Sequence, residues 1–167
     1  MRRRLETDLV RIEILAEERN DKNWKFRTFL KNRDEEETDS IVHRLVREVN
    51  AEIDCTKCGN CCRVLQTSLT DPDVERLCAR LAIARSEFLA QFTVPDSGGQ
   101  PVLDAPCPFL EASRCALYYD RPEVCRDYPH IQKEGFVFRL MSVISNCAVC
   151  PIVFNVYERL KQEYNFR

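Results

Sequence analysis

The chain has 167 residues, 44 % of them apolar and 31 % charged, with a formal net charge of −2. That length suffices for one domain and a little more, and the charge excludes a chain drawn onto nucleic acid or an anionic membrane by a global field. Only four glycines and eight prolines exclude collagen-like and linker-like classes, so the outlier is cysteine, with ten residues.

The N-terminal run Met1-Arg2-Arg3-Arg4-Leu5-Glu6-Thr7-Asp8 is charged and leads into no apolar segment, so no secretory signal is expected. No stretch approaches the ~18 apolar residues of a membrane span. Both features point to a cytoplasmic protein without a membrane partner, in a reducing compartment where clustered cysteines bind metal more often than each other.

Leu5, Leu9, Ile12 and Ala16 recur at helical spacing, and a second helical patch carries Trp24, Phe26, Phe29 and Leu30. The acidic run Asp34-Glu35-Glu36-Glu37 reads as a solvated turn. Asp39 or Ser40 is then expected to cap a helix with Ile41, Leu45, Val49 and Ile53 on one face. Residues 1–33 are rich in Lys and Arg and residues 34–54 in Asp and Glu, which reads as oppositely charged helix surfaces rather than a nucleic-acid arm.

Beyond Asp54 a β-prone stretch, residues 64–69, precedes a helix that Asp71 is expected to cap, with Pro72 at its first position and Val74, Leu77, Cys78 and Leu81 facing inward. Ser86 caps a further helix running to Phe92, and residues 95–99 form a turn. Residues 100–103 and, after Gly135, residues 136–141 are expected as short strands. A last helix covers residues 151–164, with Ile152, Val153, Val156, Leu160 and Tyr164 inward. The expected fold class is α+β, mainly helical, with a few short strands and irregular cysteine-rich loops built around a metal centre. Its expected divisions are a helical N-terminal region (1–54), a cysteine-cluster metal-binding domain (55–151) and a C-terminal helix packing on it (152–167).

Cys55, Cys58, Cys61 and Cys62 form C-x2-C-x2-C-C. A C-x2-C unit is a tight loop that brings two thiolates within reach of one metal, and Gly59 permits positive φ beside it. The third cysteine can complete three ligands. Cys62 need not face the same way, which leaves it a second centre, a bridge between metals, or the core. Cys107-Pro108, Cys115 and Cys125 follow. Asp120 is expected to cap a short helix with Pro122 in its first turn, so that the dipole and a neighbouring Arg favour a Cys125 thiolate. Cys147 and Cys150 make a second C-x2-C at the start of the last helix, whereas Cys78 on an apolar helix face reads as a core thiol. The candidate metal ligands are thus Cys55, Cys58, Cys61, Cys62, Cys107, Cys115, Cys125, Cys147 and Cys150, too many for one tetrahedral ion.

With only two histidines, His43 and His130, the donor set is almost wholly sulfur, which suits zinc or an iron–sulfur cluster. Thiolate-bound zinc and an oxidised four-iron cubane both carry excess negative charge. Arg63, Arg114, Arg121, Arg126 and Arg139, interleaved with the cysteines, are candidates to balance it. No G-x-G-x-x-G, P-loop, G-x-S-x-G or H-E-x-x-H motif appears, so the reading leans away from an enzyme.

Cys55-x2-Cys58-Gly59-x-Cys61-Cys62, then Cys107-Pro108-Phe109-Leu110, then Cys115-x2-Tyr118-x2-Arg121-Pro122-x2-Cys125-Arg126-x-Tyr128-Pro129 resembles the YkgJ-type CxxCxxCC cysteine-cluster proteins over roughly Asp54 to Pro151. The resemblance implies a zinc- or iron-chelating domain, in which Cys55, Cys58, Cys61, Cys62, Cys107, Cys115 and Cys125 match the chelating positions and Cys147 or Cys150 the C-terminal cysteine. Flagellin lysine N-methylases are similar in carrying this cluster, although the chain has no room for a separate methyl-donor-binding domain. The expected function is a metal-binding protein holding an iron–sulfur cluster or zinc through clustered thiolates, in a redox, sensor or accessory role beside a protein partner. The alternatives are a zinc-stabilised interaction module or a lysine N-methylase-like enzyme component. Cys58→Ser is expected to cost metal and stability together, and Cys78→Ala to leave metal content intact; elemental analysis of the two purified variants checks this, and loss of metal from the second alone contradicts the ligand assignment.

Overall fold

A computed structural model of the chain describes residues 4–167. Met1, Arg2 and Arg3 of the charged N-terminal run lie outside the described residues. Helix α1 (Leu9–Glu18) starts where the Asp8 carboxylate accepts from the Arg11 amide, and it buries Ile12 and Ala16, while Leu5 precedes it. Helix α2 (Asn20–Leu30) buries Phe26 and Leu30 and leaves Trp24 exposed.

Helix α3 (Glu35–Asn50) corrects the reading of the acidic run as a turn. Asp34 is its N-cap, accepting from the Glu37 amide at 2.8 Å, and Glu35, Glu36 and Glu37 form its first turn. Negative side chains are favourable there because the unsatisfied N–H groups and the helix dipole present positive charge. Asp39 is therefore not a cap but a buried side chain inside the helix, and the inward face is Val42, Leu45, Val46 and Val49, with Ile41 only partly covered.

A 3-10 turn (Cys55–Lys57) and a short helix α4 (Asn60–Val64) follow, so only Thr67–Ser68 of the β-prone stretch becomes strand β1. Helix α5 (Asp71–Leu81) is capped by Thr70 rather than Asp71. The Thr70 hydroxyl accepts from the Asp73 amide and the Asp73 carboxylate accepts from the Thr70 amide, a reciprocal capping box one residue earlier than expected. Helix α6 (Arg85–Phe92) takes Ala84 as N-cap, without a side-chain cap, so Ser86 does not cap it. Strands β2 (Thr93–Pro95) and β3 (Pro101–Leu103) flank the turn expected between them, and β4 (Leu110–Glu111) and β5 (Arg114–Cys115) form a second hairpin.

Helix α7 (Glu123–Asp127) has Pro122 at its N-cap, not Asp120. Residues 136–141 are not a strand. They form a 3-10 turn (Phe136–Arg139) leading into α8 (Leu140–Cys147). The apolar run after the Gly135 turn suggested a strand, but Leu140, Val143, Ile144 and Cys147 are buried at helical spacing while Phe138 and Met141 are exposed. Helix α9 (Pro151–Glu163) closes the described chain. The protein is thus mainly helical, with a few short antiparallel strands, as expected.

The elements gather into two compact units. One joins the chain up to Cys55 with Pro129–Arg167; the other is Thr56–Tyr128. In the first, α3 and α8 pack on α9, which buries residues on almost every side, including Val153, Tyr157 and Leu160. Phe26 stands 5.3 Å from Tyr157 and 4.9 Å from Phe166, ring centre to ring centre, in an aromatic cluster. In the second unit a three-stranded antiparallel sheet, order β1-β3-β2, pairs Thr67 with Leu103 and Val94 with Val102. Its core is Val74, Leu77, Phe88, Leu103, Phe109 and Leu117, with Cys78, Cys107 and Cys115 packed against it.

Within the first unit, buried Asp39 accepts hydrogen bonds from the amides of Gly135 (2.6 Å) and Phe136 (2.9 Å), fixing the turn that opens the 3-10 segment. Asp39→Ala leaves both donors without their acceptor and is expected to destabilise the protein by about 3 kcal/mol, read from urea unfolding.

Candidate metal centre

The cysteine-bearing loop of the second unit is shaped by Gly59. Its φ of 63° and ψ of 8° put it in the left-handed region as the N-cap of α4, and a Cβ there would stand 2.7 Å from the backbone oxygen of Ser113. Only glycine fits both the dihedral and the close approach. The β4–β5 turn that comes so near is tied to the loop by one side chain. Arg63 donates through Nη1 to the Cys58 carbonyl (2.8 Å) and through Nη2 to the Ala112 carbonyl (3.0 Å) and Ser113 Oγ (2.8 Å).

From this frame four cysteines of separate segments come into one neighbourhood. Cys62 sits on α4, Cys107 precedes β4, Cys115 ends β5 and Cys125 is central in α7. The Cys107 amide donates to the Cys62 carbonyl at 2.7 Å. Thr67 Oγ1 on β1 lies 3.8 Å from Cys125 Sγ, within hydrogen-bond reach of sulfur. Cys61 Sγ lies 4.0 Å from Cys62 Sγ. Cys62 is half-buried on α4, within this group of thiols.

The thiols feel one another electrically, with unequal results. The Cys61 contact pulls Cys62 down to about 6; burial opposes that, and the positive charges of Arg63 and Arg121 assist it. Burial pushes Cys107 up to about 11, and the charges of Cys62, Cys115 and Cys125 add to the rise. Burial likewise raises Cys115, and it raises Cys125 despite the Thr67 hydrogen bond. The expectation of a Cys125 thiolate favoured by a helix start is therefore corrected: α7 is only 5 residues long, and desolvation outweighs whatever its short dipole offers.

The remaining predicted ligands are placed as follows. Cys58 is half-buried beside Gly59, and Cys55 is exposed at the start of the 3-10 turn. Cys147 and Cys150 belong to the helical unit, at the end of α8 and immediately before Pro151 of α9, and both are buried. Burial pushes Cys147 up to about 12. All ten cysteines are thiols, with no disulfide among them.

Of the five interleaved arginines, Arg63 and Arg121 bear on the thiols. Arg126 donates to the carbonyls of Arg121 and Tyr119, Arg114 is exposed, and Arg139 bonds backbone carbonyls in the helical unit. Sequence reasoning missed the clamp behind Arg121. Asp73 is 2 % exposed and accepts from Arg76 and from the Glu123 amide, while Arg76 donates to the carbonyls of Asp120 (3.2 Å) and Arg121 (3.1 Å). Burial would raise the Asp73 carboxyl, but its hydrogen bonds from Thr70, Arg76 and the Glu123 amide together hold it below the ordinary value. The T-x-x-D signal of Thr70 and Asp73 was available in the sequence; nothing there marked Thr67 or Ser113.

Among the described residues, no group of three or more His, Cys, Asp and Glu side chains stands in the arrangement of a ready-made metal site. The donor chemistry nevertheless fits zinc or iron, since the grouped side chains are all sulfur, one is readily ionised and cationic groups lie beside them. Fold and site define a mainly helical, thiol-rich metal-binding domain. Residues 54–150 match the family model CxxCxxCC, described as "Putative zinc- or iron-chelating domain", and the chain belongs to that family. The match agrees with the resemblance drawn from the motifs and with zinc or iron as the cofactor class. No curated protein and no solved structure gives a significant match to the chain. No helix among the described residues is long and apolar enough to cross a membrane.

Gly59→Ala must adopt a strained φ and push against backbone rather than a movable side chain. It is expected to lower stability by about 2 kcal/mol or more and to reduce metal content, checked by denaturant unfolding and elemental analysis of the same preparation.

Proposed function

We propose that the second unit holds zinc or iron through Cys62, Cys107, Cys115 and Cys125, with Cys61 and Cys58 supplying further thiolates from the preceding loop. The observation that carries this reading is the gathering of four thiols from α4, β5, α7 and the segment before β4 beside two arginines. Cys147 and Cys150 form a second candidate pair in the helical unit. The all-sulfur donor set favours an iron–sulfur cluster within this class, and with it a redox, sensor or accessory role in the cytoplasm beside a protein partner. When bound, such a cluster supplies one-electron chemistry. The chain's own residues supply thiolate donors, positive charge from Arg63 and Arg121, and an apolar core against which Cys107 and Cys115 pack.

A second reading, a zinc-stabilised interaction module, draws on the exposure of Tyr119 (90 %), whose ring meets Tyr118 edge-on at 5.6 Å between cysteines 115 and 125. Purification without oxygen, followed by elemental analysis and an absorbance spectrum, separates the two. The iron–sulfur reading expects iron, acid-labile sulfide and a broad band near ~400 nm. A colourless protein carrying zinc alone, with no iron or sulfide, contradicts it and supports the second.

A further inference from the structure

The two arginines beside the thiols are used in different ways. The guanidinium of Arg63 is spent on the carbonyls of Cys58 and Ala112 and on Ser113 Oγ, so its work is to hold the loop. Arg121 is held from behind instead. Its carbonyl accepts from Arg76 Nη2 (3.1 Å) and Arg126 Nε (3.0 Å), and its guanidinium carbon lies 3.9 Å from the centre of the Tyr118 ring. With backbone clamped and side chain stacked, Arg121 Nε is buried and has no hydrogen-bond partner. A buried donor left unpaired is costly, and a nearby anion would remove that cost.

The anions that the site itself generates are the thiolates. The charge of Arg121 bears on Cys62, Cys115 and Cys125 alike. Several thiolates on one divalent ion leave excess negative charge, and a fixed cation beside them offsets it strongly where water is excluded. A guanidinium suits the task because it stays charged when desolvated and keeps its fork rigid.

From this geometry we infer that Arg121 is the positioning and charge-balancing residue of the metal centre, with Tyr118 and the Asp73–Arg76 pair holding it and its Nε–H available to an anionic sulfur. The inference rests on the proposed metal-binding reading and goes beyond it in assigning Arg121 a role distinct from the structural role of Arg63.

The test titrates reduced, metal-free full-length protein with zinc against a chromophoric chelator and, separately, with cobalt(II), whose sulfur-to-metal absorbance reports thiolate ligation. The wild type, R121K, R121Q and R121M are compared, and thermal unfolding of each metal-free variant shows whether it is folded. R121Q and R121M are expected to bind zinc about tenfold to a hundredfold more weakly, with a weakened cobalt–thiolate band, whereas R121K, which keeps the charge but loses the fork and the Tyr118 stack, falls between them and the wild type. Wild-type affinity in folded R121Q or R121M overturns the inference. So does a loss in R121K as large as in R121M, which assigns Arg121 a purely steric role. A wild-type protein that binds neither ion through sulfur contradicts the metal-binding reading itself; wild-type binding with unaffected variants contradicts only the role of Arg121.

Discussion

Four thiols share a partly buried neighbourhood of one unit, where burial and mutual repulsion oppose ionising them all. Cys62 is drawn down to about 6, whereas Cys107 is pushed up to about 11 by burial and by the neighbouring sulfurs. Each thiolate formed makes the next harder to form, since like charges in a poorly solvated place repel. In the absence of metal the group therefore holds its charge unevenly, with Cys62 as the site of first ionisation. A divalent ion or a cluster reverses the balance by taking up the negative charge, and the remaining protons must leave as it binds. Metal affinity in such a group rises with pH for that reason, and binding free energy appears as stabilisation of the surrounding loops.

The scaffold around this group consists of short elements with few long-range supports, so individual side chains carry much of the positioning. Gly59 permits the approach of the β4–β5 turn, and Arg63 ties that turn to the C-x2-C loop. On the other side, Asp73 completes the capping box of α5, receives the Glu123 amide at the start of α7, and pairs with Arg76, which in turn holds residues 120 and 121. Cys107 and Cys115 rest on the core formed by α5, α6 and β3, which couples the unit's apolar packing to the thiols. A five-residue helix such as α7 has little stability of its own; Cys125 is placed by these tertiary ties.

Much of the helical frame was legible in the sequence, and so was the chemistry of the site. Long apolar stripes with charged faces gave α1, α5 and α9 nearly whole, and the cysteine spacing gave both the family and the donor type. The failures were local competitions. The acidic run Asp34 to Glu37 resembles a solvated turn, yet it caps and opens α3, because acidic residues are favoured in a helix's first turn. Residues 136–141 form an apolar run after a glycine turn, which resembles a strand, and only the burial of Val143, Ile144 and Cys147 further on reveals the helical period. What no spacing rule could supply is which cysteines meet. Cys62 is adjacent to Cys61 yet shares its neighbourhood with Cys107, Cys115 and Cys125, and that grouping depends on β1, β5 and α7 being brought together over long separations.

The central claim is that these sulfurs form the coordination shell of one metal centre. X-ray absorption at the metal edge of anaerobically purified protein measures that shell directly. The account predicts scattering from about four sulfurs at about 2.3 Å, and a first shell dominated by nitrogen or oxygen would contradict it.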